Sequence, residues 1–300
     1  MYPIAIFIGG PTASGKTELA FDIQSQIKGF IVNADSMQVY DKLGILTNRP
    51  NEKNIKKFDC NLFGFIKYPK TCNVGYWQKE SLSILKKKKE LIPIFVGGTG
   101  LYIDSLINNI SEIPKIPEEI RKGIQETYQK KGKDFLFEEL KKIDKDYAKK
   151  ISPNDIQRLI RALEVKYFTG ISFSEWHRQN KKKIFKKIIY VILNTERNLL
   201  YTRINNRCEE MVKKGVFDEI EKFLKTKSNY SHPLHKSIGI QSMEKYFSGE
   251  VSKEESMTGF MRDTRRYAKR QLTWFNNKAK GAIKLEFSNA KDYILEQSGL

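Results

Sequence analysis

A single octapeptide, GPTASGKT at residues 10–17, narrows the folds open to this chain more than anything else in it. Its spacing, Gly10-Pro11-Thr12-Ala13-Ser14-Gly15-Lys16-Thr17, fits the phosphate-loop pattern G-x-x-x-x-G-K-[ST]. Such a loop works because successive backbone N–H groups and a helix N-terminus point at one anion, the lysine adds a charge, and the Ser/Thr hydroxyl can ligate Mg²⁺. The context fits. An apolar run, IAIFIGG (4–10), leads in, and the helix-compatible TELAFDIQSQI leads out. All eight residues are therefore candidate phosphate ligands, with Thr17 the candidate Mg²⁺ ligand. Nucleotide kinases, GTPases and other phosphate-handling enzymes share the pattern, so the rest of the chain has to choose among them.

Further apolar runs bounded by glycine or polar residues recur at 29–36 (GFIVNADS), 92–98 (IPIFVGG), 188–194 (IIYVILN) and 282–287 (AIKLEF). Longer helix-compatible segments separate most of them, which predicts an α/β fold: a P-loop NTPase-like parallel sheet covered on both faces. The polar stretch 113–185 reads as helices throughout. In its part SPNDIQRLIRALEVKYFTG, Ser152 reads as N-cap, Pro153 as first helical residue and Gly170 as the stop. The expectation is a core domain built from 1–112 and 186–300, with an all-helical insertion, 113–185, placed to act as a lid. Near the C-terminus, Ser252-x-x-Glu255 is a capping box. It opens a helix whose apolar stripe (Met257, Phe260, Met261, Thr264, Ala268, Leu272, Phe275) leaves Arg262, Arg265, Arg266, Lys269 and Arg270 on the remainder.

In an open parallel sheet, ligands sit outside the carboxyl ends of the strands. Three loops should then converge on one rim: the phosphate loop, ADSMQVY (34–40) and GGTGLY (97–102). The second offers Asp35 beside Ser36 and Gln38; the third offers Thr99 in a glycine-rich turn. A nucleoside-triphosphate enzyme also needs an acid at the end of another apolar strand. The strand ends VGGT and ILNTE leave Asp35 and Glu196 for that task, which weakens a kinase reading.

Lys+Arg 54 against Asp+Glu 35 gives a net charge of +19, an excess that points to a polyanionic partner. A membrane surface would attract the same charge. Against it, no run of about 18 apolar residues occurs, and the opening strand runs into the phosphate loop without a signal-peptide pattern. The expected protein is soluble and cytoplasmic. Cys60, Cys72 and Cys208 are isolated, which argues for reduced thiols. His232 and His235, in SHPLHKS, read as surface histidines and not as metal ligands.

The segments GPTASGKT, ADSMQVY, VGGTGLY, SPNDIQRLIRALEV, RI..R...M...G (203–215), SIG (237–239) and TRRYAKRQLTWF (264–275) follow one another in an order and spacing that resemble the tRNA dimethylallyltransferases, or tRNA isopentenyltransferases, across most of the chain. The resemblance implies a transferase whose phosphate loop holds a diphosphate leaving group. It would move a dimethylallyl group from dimethylallyl diphosphate to the exocyclic N6 amine of the adenosine 3′-adjacent to the anticodon, position 37, in tRNAs reading UNN codons. By the same resemblance Asp35 is the general base, and Thr99 and Arg121 lie near the reacting centre. The flipped adenosine is bordered by Asp35, Ser36, Met37 and Gln38, and Thr99 and Arg121 also contact the tRNA. Gln157, Arg158, Leu159, Ile160 and Arg161 read the anticodon stem-loop, and Arg203 joins the phosphate loop at the diphosphate, with Arg207 four residues on as a further candidate. Mg²⁺ is the implied cofactor, and a monomer the expected state.

Two departures stand out. LTNRP (46–50) carries Arg49 where relatives favour lysine, and Ile240-Gln241-Ser242 follows SIG where they favour Tyr-Lys-Glu. Two alternatives stay open: a P-loop small-molecule or nucleotide kinase, and a basic RNA-binding protein without catalysis.

Overall fold

The computed structural model describes residues 1–111, 113–178, 182–226 and 231–299. Its β-branched and aromatic runs form one six-stranded sheet: β1 (Tyr2–Gly9), β2 (Gly29–Asn33), β3 (Cys60–Asn61), β4 (Ile92–Val96), β5 (Phe185–Leu193) and β6 (Ile283–Leu285). The order is β3-β2-β4-β1-β5-β6, and every pairing is parallel. Central strands of such a sheet are buried on both faces, and the side-chain period of two sorts them. Ala5, Phe7, Phe30, Val32, Phe95 and Ile192 enter one core layer, while Ile6, Ile8, Ile31, Ile94, Val96 and Val191 enter the other. Phe7 lies in register with Phe95 and Tyr190. Each buried Ile, Val or Phe side chain among them contributes on the order of 1.5–3 kcal/mol.

Helices α1 (Lys16–Gln24), α2 (Glu52–Lys57), α3 (Val74–Lys87) and α4 (Gly100–Ile107) interleave with the first four strands. Then come α5 (Glu118–Ile143), α6 (Lys145–Ala148), α7 (Ile156–Thr169) and α8 (Phe173–Arg178). After β5 follow α9 (Arg197–Lys213), α10 (Val216–Leu224), α11 (Ile240–Phe247), α12 (Lys253–Lys278) and, beyond β6, α13 (Phe287–Ser298). Two compact units result: Met1–Asn108 with Lys183–Leu300, and Asn109–Lys182. The limits differ from 113 and 185. On the C-terminal side β5 already begins at Phe185, whose ring packs against Phe7 and Phe95 and ties the chain to the sheet. On the other side, Glu112 lies outside the described residues.

The second unit is all helical, with Ile124, Leu136, Leu140, Leu159, Ala162 and Leu163 at its core. Gly132, at φ 77° and ψ 178°, breaks α5 into two helical stretches. The cap of α7 corrects the sequence reading: Asp155, not Ser152, is the N-cap, its carboxylate accepting from the Arg158 N–H. Ser152 is taken up by a turn, in which its carbonyl accepts from Asp155 N and its hydroxyl from Asn154 N. Gly170 ends α7 at φ 71°. The Ser252/Glu255 capping box forms at the start of α12.

His232 is a second correction. It is buried, its ring packed edge-on against Tyr40 and Tyr68. Its Nδ1 accepts from Leu234 N, and Nε2 faces the Lys70 carbonyl at 3.1 Å. A histidine can thus satisfy both nitrogens within a loop, which surface composition does not reveal. Among the described residues, no helix is long and apolar enough to cross a membrane.

Candidate active site

The carboxyl ends of β1, β2 and β4 deliver three loops to one cleft of about 430 Å³ in the first unit. The phosphate loop turns into α1 through Ala13 at φ 64° and Gly15 at φ 92°, a left-handed position that favours glycine. Lys16 Nζ donates to the Pro11 carbonyl at 2.5 Å. Ser14 Oγ is buried with no hydrogen-bond partner, and the Thr17 hydroxyl, which lines the cleft, makes no hydrogen bond among the described residues. Such unengaged donors are what an anion-binding loop offers its ligand. Burial pushes the Lys16 ammonium down to about 7, against the pull of the Asp35 carboxylate, with Arg207 lowering it further.

Asp35 is built into the end of β2 by its neighbours. Buried Asn33 accepts from Asp35 N through Oδ1 (2.9 Å) and donates through Nδ2 to the carbonyls of Asp35 (3.0 Å) and Leu62 (3.1 Å). The Asp35 carboxylate accepts from Met37 N at 2.9 Å through Oδ1, while Oδ2 has no protein donor among the described residues. One oxygen holds the loop, and the other is not engaged by the described residues. Thr99 Oγ1 accepts from Ser36 N (2.9 Å) and donates to Ser36 Oγ (3.2 Å), so it joins the second and third loops and does not cap α4. Gly97 lets these loops touch: a Cβ there would lie 2.1 Å from the Ala34 carbonyl carbon and oxygen.

From α12, buried Gln271 spans the cleft wall. Its Oε1 accepts from Thr12 N at 2.8 Å in the phosphate loop, and its Nε2 donates to the Gly98 carbonyl at 3.0 Å. Tyr267, one turn earlier, hydrogen-bonds Gln271, and burial together with Asp35 raises its hydroxyl. From α9, Arg207 donates to Thr12 Oγ1 at 2.5 Å with its Nε buried and unpartnered, while Arg203 lines the same cleft exposed.

Lys16, Thr17, Asp35, Gln38 and Arg203 thus line one cleft, with Ser36 and Thr99 bonded behind it. Met37 Sδ accepts from Ser237 Oγ at 3.5 Å, and Gln38 Nε2 donates to the Thr47 carbonyl at 2.9 Å. Arg49 donates to the Tyr40 carbonyl, so it braces the loop. Ile240 and Ser242 are buried in α11, away from the cleft lining, and Glu196 caps α9 through Leu199 N.

Arg121, Gln157, Arg158, Leu159, Ile160 and Arg161 belong to the second unit. There Gln157 and Arg158 are exposed, Arg158 pairing with Asp155 at 3.1 Å. Leu159 is fully buried, so its side chain packs the helical core and faces no solvent. Sequence reasoning did not single out Gln271 or Asn33. Each acts through a side-chain amide bonded to backbone far off or two residues away, and neither leaves a local signature.

The set of donors also bears on a metal. Among the described residues, no three His, Cys, Asp or Glu side chains gather. A free Thr hydroxyl at a phosphate loop suits a hard cation that takes most of its oxygen ligands from phosphate and water, as Mg²⁺ does.

A parallel sheet with a phosphate loop after β1 and ligand groups at its carboxyl rim defines a P-loop α/β enzyme class. The chain belongs to the IPP transferase family, whose model matches residues 38–278. It is 38% identical to the tRNA dimethylallyltransferase of Pelagibacter ubique over 300 residues, covering 98% of this chain and 96% of that one. Its structure resembles the tRNA isopentenylpyrophosphate transferase of Bacillus halodurans at a TM-score of 0.71 and 28% identity, covering 99% and 96% of the two chains. It shares its fold with a eukaryotic dimethylallyltransferase acting on tRNA, at a TM-score of 0.83 and 24% identity over 95% and 74% of the two chains.

Proposed function

We propose that the chain transfers a dimethylallyl group from dimethylallyl diphosphate to N6 of the adenosine 3′-adjacent to the anticodon, position 37, in tRNAs reading UNN codons. One observation carries the reading: in a chain of this family, Asp35 Oδ2 has no donor among the described residues and lies in the same cleft as the phosphate loop. In the reaction the N6–C1 bond forms as the C1–O bond breaks. The electron pair leaves with diphosphate, and the N6 proton passes to Asp35.

Each end of the cleft supplies one of these needs. Backbone amides of residues 13–17, Lys16, Arg203 and Arg207 stabilise charge growing on the leaving diphosphate. Thr17 would hold Mg²⁺, which supplies further charge neutralisation there when bound. Asp35, with Oδ1 fixed by backbone N–H groups, presents Oδ2 as general base. The acceptor adenosine has to leave the anticodon stack to reach it. Ser36, Met37 and Gln38 border that base with Thr99 close by, and Arg121 with Gln157, Arg158, Ile160 and Arg161 of the helical unit engage the anticodon stem-loop. The protein acts as a cytoplasmic monomer.

The test is Asp35→Asn. Prenyl transfer to tRNA falls by about 10²–10⁴, while tRNA affinity, measured by filter binding, stays within about threefold. Equal loss of both in a folded protein defeats the general-base assignment.

A further inference from the structure

Within the helical unit, α7 buries a carboxylate. Glu164 is 3% exposed, between the core residues Leu163 and Val165. Its Oε1 accepts from Arg121 Nε at 3.0 Å and its Oε2 from Arg161 Nη1 at 3.2 Å. The two arginines come from different helices, α5 and α7, and keep 50% and 38% of their side chains exposed. Each gives the carboxylate a single nitrogen. Both Nη groups of Arg121, and Nε with Nη2 of Arg161, therefore have no protein acceptor among the described residues.

A buried ion pair is poor value for stability alone, since an apolar residue of similar volume packs as well without desolvating a charge. What the arrangement achieves is orientation. Guanidinium groups are planar forks suited to phosphate, and long side chains lose rotamer freedom when they bind. Here one shared carboxylate has already fixed both planes, and the cluster keeps a net positive charge. We infer that Glu164 is a positioning residue, which presets Arg121 and Arg161 as a paired-cation surface for phosphodiester groups of the RNA substrate. The inference rests on the proposed function, in which this unit engages tRNA.

The test is a double-mutant cycle on tRNA binding. Glu164→Gln keeps size and one acceptor but turns an amide N–H₂ toward one arginine. It should weaken tRNA binding about tenfold and flatten the dependence of log Kd on log salt by about one unit, with the Kd for dimethylallyl diphosphate unchanged. In an Arg121→Gln/Arg161→Gln background, Glu164→Gln should add nothing. If its effect persists undiminished there, or the salt slope of the single variant is unchanged, Glu164 acts through packing alone and the inference falls. Should Glu164→Gln not fold, Glu164→Asp, which keeps the charge but retracts it from both arginines, carries the same cycle. Wild-type protein that binds no tRNA overturns the proposed function itself, and the inference with it.

Discussion

At the scale of single residues, the cleft contains groups held away from their usual state, and each has a measurable consequence. Lys16 is pushed down to about 7 in the free protein because it is buried, beside Arg207. A bound diphosphate adds negative charge and raises that value. The lysine's contribution to binding is therefore complete below pH 7 and is lost as pH rises through the higher, ligand-bound value. Titration calorimetry should find the affinity for dimethylallyl diphosphate falling above pH 7, with proton uptake on binding; an affinity that rises over that range contradicts the assignment. Gln271 ties the Thr12 amide to the Gly98 carbonyl. Gln271→Leu leaves both without partners, which costs about 1–3 kcal/mol for each group left buried. Lower thermal stability should accompany a drop in kcat of about tenfold or more, because the phosphate loop and the loop carrying Gly98 lose their common anchor. Unchanged kcat would show that Gln271 serves packing only.

At the scale of elements, the site depends on how closely β2 and β4 end together. Gly97→Ala drives a methyl group into the Ala34 backbone, which cannot swing aside as a side chain can. Overpacking of this kind costs about 1–3 kcal/mol, and chemical denaturation should show that loss together with weakened catalysis. Full stability in that variant would mean the two loops are not pressed together. The strands and the phosphate loop were legible in sequence because buried parallel strands are continuous apolar runs bounded by glycine. Strand β3, Cys60–Asn61, has two residues and offers no run to read. The start of α7 misled because Ser152 and Asp155 both suit an N-cap, and the intervening Pro153-Asn154 turn decides between them. Asp35 and Thr99 could be placed beside the phosphate loop from sequence because the carboxyl-rim rule puts the loops after β2 and β4 there. Gln271 and Glu164 escaped because a polar residue inside a helix gives no sign of which distant atom it meets.

At the scale of the molecule, a net charge of +19 and a phosphate-loop cleft belong to one chain, which suits the two anionic substrates proposed for it, a prenyl diphosphate and a tRNA. The sheet unit carries the cleft, and the helical unit carries the Arg121–Glu164–Arg161 cluster. The described residues share the fold of the IPP transferase family, and the function proposed for the phosphate loop is to hold a diphosphate leaving group and not to transfer a γ-phosphoryl group. The most direct measurement is mass spectrometry of an unmodified tRNA with adenosine 3′ to its anticodon, incubated with the protein, Mg²⁺ and either dimethylallyl diphosphate or ATP. The account predicts one dimethylallyl group gained on that adenosine with the prenyl donor alone. No gain with the prenyl donor, alongside phosphoryl transfer from ATP to a small acceptor, would contradict it.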